Sequence, residues 1–81
     1  MTLAVVFGEE IRRVRQEAGF SQEELAYRAG IHRTYISQLE RGLKAPSLEV
    51  VFRICAALGQ EPHELIRRVN QKLELPPTSH D

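Results

Sequence analysis

The 81-residue chain holds one cysteine, Cys55, and no tryptophan. A single thiol closes no internal disulfide, so the fold rests on its own core, and a reducing cytoplasm is the expected home. No apolar run approaches the roughly 18 residues that a membrane span needs. The opening MTLAVVFGEE has no basic leader and no cleavage site, so no signal peptide is expected. No stretch alternates apolar with polar residues as a half-buried strand does. Charge of either sign is not in excess either, with 11 Lys and Arg against 11 Asp and Glu. Chemical motifs are equally sparse. His32, His63 and His80 have no metal-ligand spacing with Cys55, and there is no nucleophile elbow or glycine-rich phosphate loop. Glu9-Glu10 and Glu23-Glu24 are expected to be surface acids, because adjacent helix residues do not face each other. Cys55 falls among apolar helix positions and reads as a small buried hydrophobe. The expectation is therefore a non-enzyme with no catalytic residue, metal, cofactor or small-molecule substrate, and no membrane association.

What is present is helical spacing. A first helix is expected from about Ala4 to Ala18, with Phe7, Ile11 and Val14 facing inward and Gly19 ending it. Ser21 opens a second helix as its N-cap. Glu24, three residues on, completes a capping box, and Phe20 staples onto Leu25. Leu25, Ala26 and Ala29 form its apolar face, and Gly30 stops it. A third helix runs from His32 or Arg33 to Arg41, with Ile36 and Leu39 inward and Gly42 beyond its end. Ser47 caps a fourth helix, whose buried positions are expected to be Leu48, Val51, Ile54, Cys55 and Leu58 before Gly59. Pro62 sits at the first turn of a fifth. The fold class is all-α, a compact five-helix bundle over residues 1–75, with a disordered tail over 76–81. A chain this small buries only about 60–65% of its unfolded surface, so self-association would add useful burial.

Two short helices joined by a tight turn at Gly30-Ile31 form a helix-turn-helix pattern over about residues 21–42. Its second helix, nine residues long, would rise about 13 Å. That length suits a major groove about 12 Å wide. The segment SQEELAYRAGIHRTYISQLERG, followed by APSLEVVFRICAALG, resembles the lambda and 434 repressor and Cro-like family, known as XRE. The shared pattern is S-Q-x-x-L-A-x-x-x-G-I-x-x-x-x-I-S-x-L-E-x-G and then P-S-L. The resemblance spans about residues 7–69. It implies a lambda-repressor-like domain that binds palindromic double-stranded DNA as a homodimer and controls transcription. The chain also resembles stand-alone controllers of restriction-modification genes and small antitoxins.

Residue roles follow from helix faces and from the resemblance. With Leu25, Ala26, Ile31, Ile36 and Leu39 inward, the third helix turns Arg33, Thr34, Ser37, Gln38 and Arg41 outward. Arginine pairs bidentately with guanine and glutamine with adenine. The resemblance puts Arg33, Thr34 and Gln38 on bases, with Ser37 in second rank. Gln22, at a helix N-terminus that favours phosphate, is implied to bond the DNA backbone and to brace Arg33. Arg28, His32, Arg41 and Lys44 are expected on phosphates, which position without reading sequence. Tyr35 is expected either on sugar-phosphate or packed on the bundle. The resemblance pairs Glu40 with Arg15 as a structural ion pair. Leu65, Ile66, Val69 and Leu73 form the expected dimer stripe, with Leu3, Val5 and Val6 as a second contact. The middle of the chain carries the positive excess: residues 12–44 hold seven bases against four acids. The alternative reading is a protein-interaction adaptor or antitoxin whose partner is a protein such as a toxin.

Overall fold

A computed structural model describes residues 2–73. Its elements are α1 (Leu3–Glu17), α2 (Gln22–Ala29), α3 (Arg33–Glu40), α4 (Leu48–Leu58) and α5 (Pro62–Leu73), with no strand among the described residues. The expected tail lies outside them. Three helices start on a side-chain cap. Thr2 Oγ1 accepts from the Val5 amide at 3.3 Å, Ser21 Oγ from Glu24 at 3.0 Å and Ser47 Oγ from Val50 at 3.2 Å. Each satisfies an amide that has no partner within its helix. The reciprocal half of the expected capping box does not form. The Glu24 carboxylate turns forward to Arg28 Nε at 2.8 Å, because a charged partner four residues on binds more strongly than a neutral backbone amide.

One core runs through the bundle, with Val6, Ile11, Leu25, Ile36, Ile54 and Leu65 at its centre. Burial corrects several expectations. Val6 is fully buried and forms no outward contact. Leu48 is 70% exposed rather than buried, because it is the first residue of α4 and precedes the turn that reaches the core. Leu65 and Val69, expected at a dimer interface, face the subunit's own core as α5 packs on α1. Ile66 stays exposed and Leu73 half-buried.

Two glycines seat α3 on α1. A Cβ on Gly8 would overlap the Leu39 carbonyl oxygen and stand 3.0 Å from that of Glu40. A Cβ on Gly42 would stand 2.9 Å from the Val5 backbone, and its φ of +73° lies in the left-handed region. At Gly8 the obstacles are all backbone atoms, which cannot move aside as a flexible side chain can, and at Gly42 the Val5 side chain stands in the way as well. Glu10, expected at the surface, is fully buried. It pairs with Arg13 at 2.8 Å on its own helix, and with Arg68 at 3.2 Å and Lys72 at 2.6 Å on α5. The hydrogen bond from Arg13, aided by Lys72 and Arg68, outweighs burial and lowers its pKa from 4.5 to about 2.

Two outcomes follow. Gly8→Ala should cost about 1–3 kcal/mol or more, the usual range for overpacking, read as a lower urea midpoint. Glu10 is held below its unfolded pKa, so its contribution is complete above about 4.5 and is lost as pH falls towards about 2. Urea midpoints measured across that window should fall for the parent, and fall less for Glu10→Gln.

Candidate nucleic-acid interface

The turn from α2 to α3 is made by Gly30, in the left-handed region at φ 69°. Its amide and that of Ile31 close α2 on Tyr27 and Ala26 carbonyls, so α3 can start again after two residues. His32 is the N-cap of α3 and makes no side-chain cap bond, leaving the first amides of α3 open to an outside acceptor. α3 buries Ile36, Leu39 and Glu40. On its other side Arg33, Thr34 and Arg41 are exposed, while Ser37 and Gln38 are half-exposed. The expected reading residues therefore share one accessible face.

That face is aimed by a buried ion pair. Arg15 Nε donates to Glu40 Oε2 at 2.6 Å, and Nη2 donates to Oε1 at 3.0 Å. The third arm of the same guanidinium, Nη1, donates to the Phe20 carbonyl at 2.8 Å. Gln22 Nε2 completes the set with a 3.0 Å bond to Glu40 Oε1. This corrects the expected bracing of Arg33. A buried carboxylate oxygen has lone pairs to fill, and Gln22, at the first turn of α2, fills one. Both Arg15 and Glu40 are buried, and the fork geometry fixes direction as well as distance.

The expected phosphate residues are differently placed. Arg28 is engaged on α2, bonded to Glu24 and lying 4.6 Å over the Phe20 ring. Arg41 folds back on its own helix, with Nε 3.4 Å from the Ser37 carbonyl. Lys44 Nζ sits 6.0 Å above the Tyr35 ring. Tyr35 itself packs partly against the core, with its remainder accessible.

Ion pairing sorts the charges of a chain with none in excess. Glu10, Glu17, Glu24, Glu40, Glu49 and Glu64 are each matched to a cation. Among the described residues no ion pair engages Arg12, Arg33, Arg41 or Lys44, and the last three lie on α3 or just beyond it. Cys55 is buried, and desolvation raises its thiol pKa, which suits packing rather than nucleophilic chemistry. No helix among the described residues is long and apolar enough to cross a membrane. An apolar surface joins Ile66 and Leu3, both expected as contacts, to Phe52, which sequence reasoning missed, and Leu48, which it placed in the core. Leu48 and Phe52, one turn apart on α4, are exposed beside Ile66 of α5 and Leu3 of α1. Their spacing of four residues was the available signal.

A capped α2, a glycine turn and an α3 with a polar, cationic outer face define a helix-turn-helix protein. Residues 11–65 match the helix-turn-helix family of the XRE type, and the chain belongs to that family of transcriptional regulators. It is 40% identical over 65 residues to the control protein C.BamHI of Bacillus amyloliquefaciens, spanning 79% of this chain and 80% of that protein. The restriction-modification controller protein C.AhdI from Aeromonas hydrophila superposes with a TM-score of 0.75 at 40% identity, covering 76% of this chain and 94% of that one. The clp gene regulator ClgR from C. glutamicum superposes at 0.85 with 29% identity, covering 94% and 99%.

Removing the carboxylate in Glu40→Ala strands the Arg15 guanidinium in the interior. The expected loss is about 3–5 kcal/mol, the range for breaking a buried pair, measured by urea unfolding. Arg33→Ala should leave the same midpoint within about 0.5 kcal/mol, as exposed substitutions do.

Proposed function

We propose that two copies of this chain bind an approximately palindromic DNA operator, with each α3 in one of two successive major grooves about 34 Å apart. The observation that carries the reading is the α3 face. Arg33, Thr34, Ser37 and Gln38 are accessible together on a helix whose orientation is fixed by Arg15, Gln22 and Glu40. Arg33 and Gln38 read base edges, each good bidentate contact discriminating by roughly 1–3 kcal/mol. Thr34 and Ser37 serve as shorter contacts beside them. Lys44, Arg41 and His32 meet phosphate, with Tyr35 against sugar-phosphate. The Gln22 backbone and the Arg28 side chain stand at the flanks, and Arg28 must release Glu24 to reach an anion.

The two subunits meet through the exposed apolar surface of Leu48, Phe52 and Ile66, with Leu73 at its margin. This replaces Leu65 and Val69, which the core already takes. The control-protein relatives favour a controller of restriction-modification genes, acting in the cytoplasm. No cofactor enters the scheme.

In vitro selection from random duplexes tests the reading, with the Arg33→Ala/Gln38→Ala double variant as control. The expected result is a palindromic consensus that the double variant loses while keeping its fold. No enrichment at low salt would overturn the operator reading and turn attention to a protein partner for the α4–α5 surface.

A further inference from the structure

We propose that Glu10 is a positioning residue for self-association: its buried carboxylate clasps two successive turns of α5 and so fixes where Ile66 is presented to a second subunit. The inference rests on the α4–α5 dimer surface proposed above. Each carboxylate oxygen holds a different turn. Oε1 accepts from Arg68 Nε at 3.2 Å, and Oε2 pairs with Lys72 Nζ at 2.6 Å. Arg13 closes the clasp from α1, with Nη2 at 2.8 Å from Oε1. Arg68 reaches back as well, its Nη2 donating to Gln60 Oε1 at 2.9 Å in the turn that enters α5. The helix is thereby tied at its entry, its middle and its last turn.

Net stability is a poor reason for such a group. A well-packed apolar residue in place of a buried ion pair is often neutral or stabilising. What the apolar residue lacks is direction. Without the clasp, α5 rests on α1 and α4 through apolar packing at Leu65 and Val69, which holds its angle less tightly than charged, directional bonds do. Ile66 precedes Arg68 by two residues and so lies roughly 160° around the helix from it. A rotation of α5 about its own axis that the clasp would resist therefore moves Ile66 on the opposite side. With a helix radius of about 5 Å, a turn of about 20° displaces the Ile66 side chain by about 2 Å. That shift spoils an interface packed to the density of a protein interior.

The test compares Glu10→Gln, the milder Lys72→Met and the interface control Ile66→Asp. Dimer dissociation is measured by sedimentation equilibrium well below the unfolding temperature. Amide exchange of residues 62–73 is compared with that of 22–40. The expected result is a dissociation constant raised about tenfold in Glu10→Gln and about threefold in Lys72→Met. Exchange should accelerate in α5 alone, and Ile66→Asp should be monomeric. A merely structural role lowers the unfolding temperature and leaves the dissociation constant of the folded protein where it was. A monomeric Ile66→Asp beside clasp variants that dimerise within twofold of the parent overturns this inference and leaves the interface reading standing. A dimeric Ile66→Asp overturns the interface reading and the coupling with it. Should Glu10→Gln lose its helical circular dichroism, Lys72→Met decides alone by the same criteria.

Discussion

The carboxylate of Glu40 is the point on which three helices converge. It belongs to α3, takes a forked pair of bonds from Arg15 of α1, and accepts a third from Gln22 of α2. An apolar contact there would hold the helices together without fixing their mutual angle. Charged, directional bonds hold both. The same arrangement removes a difficulty. A carboxylate on the exposed side of α3 would oppose its cations, but this one is buried and paired with Arg15.

The backbone supplies what the ion pair cannot. At Gly8 the C-terminal end of α3 lies against α1 with no side chain between them, and Gly42 turns the chain away under Val5. α1 thus works as a common support. Its C-terminal end aims α3 through Arg15, and its middle holds α5 through Glu10. The two buried glutamates are chemically alike and serve different neighbours. One organises the helix-turn-helix, and the other organises the helix whose exposed edge is the candidate contact with a second subunit.

The parts legible in the sequence are those set by neighbours along the chain. Ser21 and Ser47 announce their helices because a cap bonds an amide three residues on, and Gly30 and Gly59 end them because both adopt left-handed backbone. The 3.6-residue rhythm gave Ile11, Val14, Leu25, Ile36 and Ile54 as core. The Arg15–Glu40 pair came from family resemblance rather than from spacing. Illegible parts depend on partners distant in sequence. Helical spacing from Val6, Phe7 and Val14 puts Glu10 rather than Glu9 on the inner face, but Arg68 and Lys72, which make burial of its charge tolerable beside Arg13, lie near the other end of the chain. Gly8 reads as a mild helix breaker until α3 is in place. Leu65 and Ile66 are adjacent apolar residues, and only packing decides which belongs to the core and which to the surface. Glu24 illustrates competition: it has the right spacing for two partners, and the charged one wins.

The balance of charge has a kinetic consequence. A neutral molecule exerts almost no long-range pull on a polyanion, so its collision rate with DNA owes little to attraction at a distance. What survives close in is an uneven distribution, with Arg33, Arg41 and Lys44 on or just beyond α3 and in no ion pair among the described residues. Within a Debye length, about 8 Å at physiological ionic strength, such a distribution acts as a torque more than as a force. On the proposed reading, it turns an arriving molecule until α3 faces the duplex. A wrongly oriented encounter is held by little and dissociates quickly. On the same reading, charge neutrality keeps the chain from lingering on arbitrary DNA, while its polarity makes the productive orientation the one that lasts.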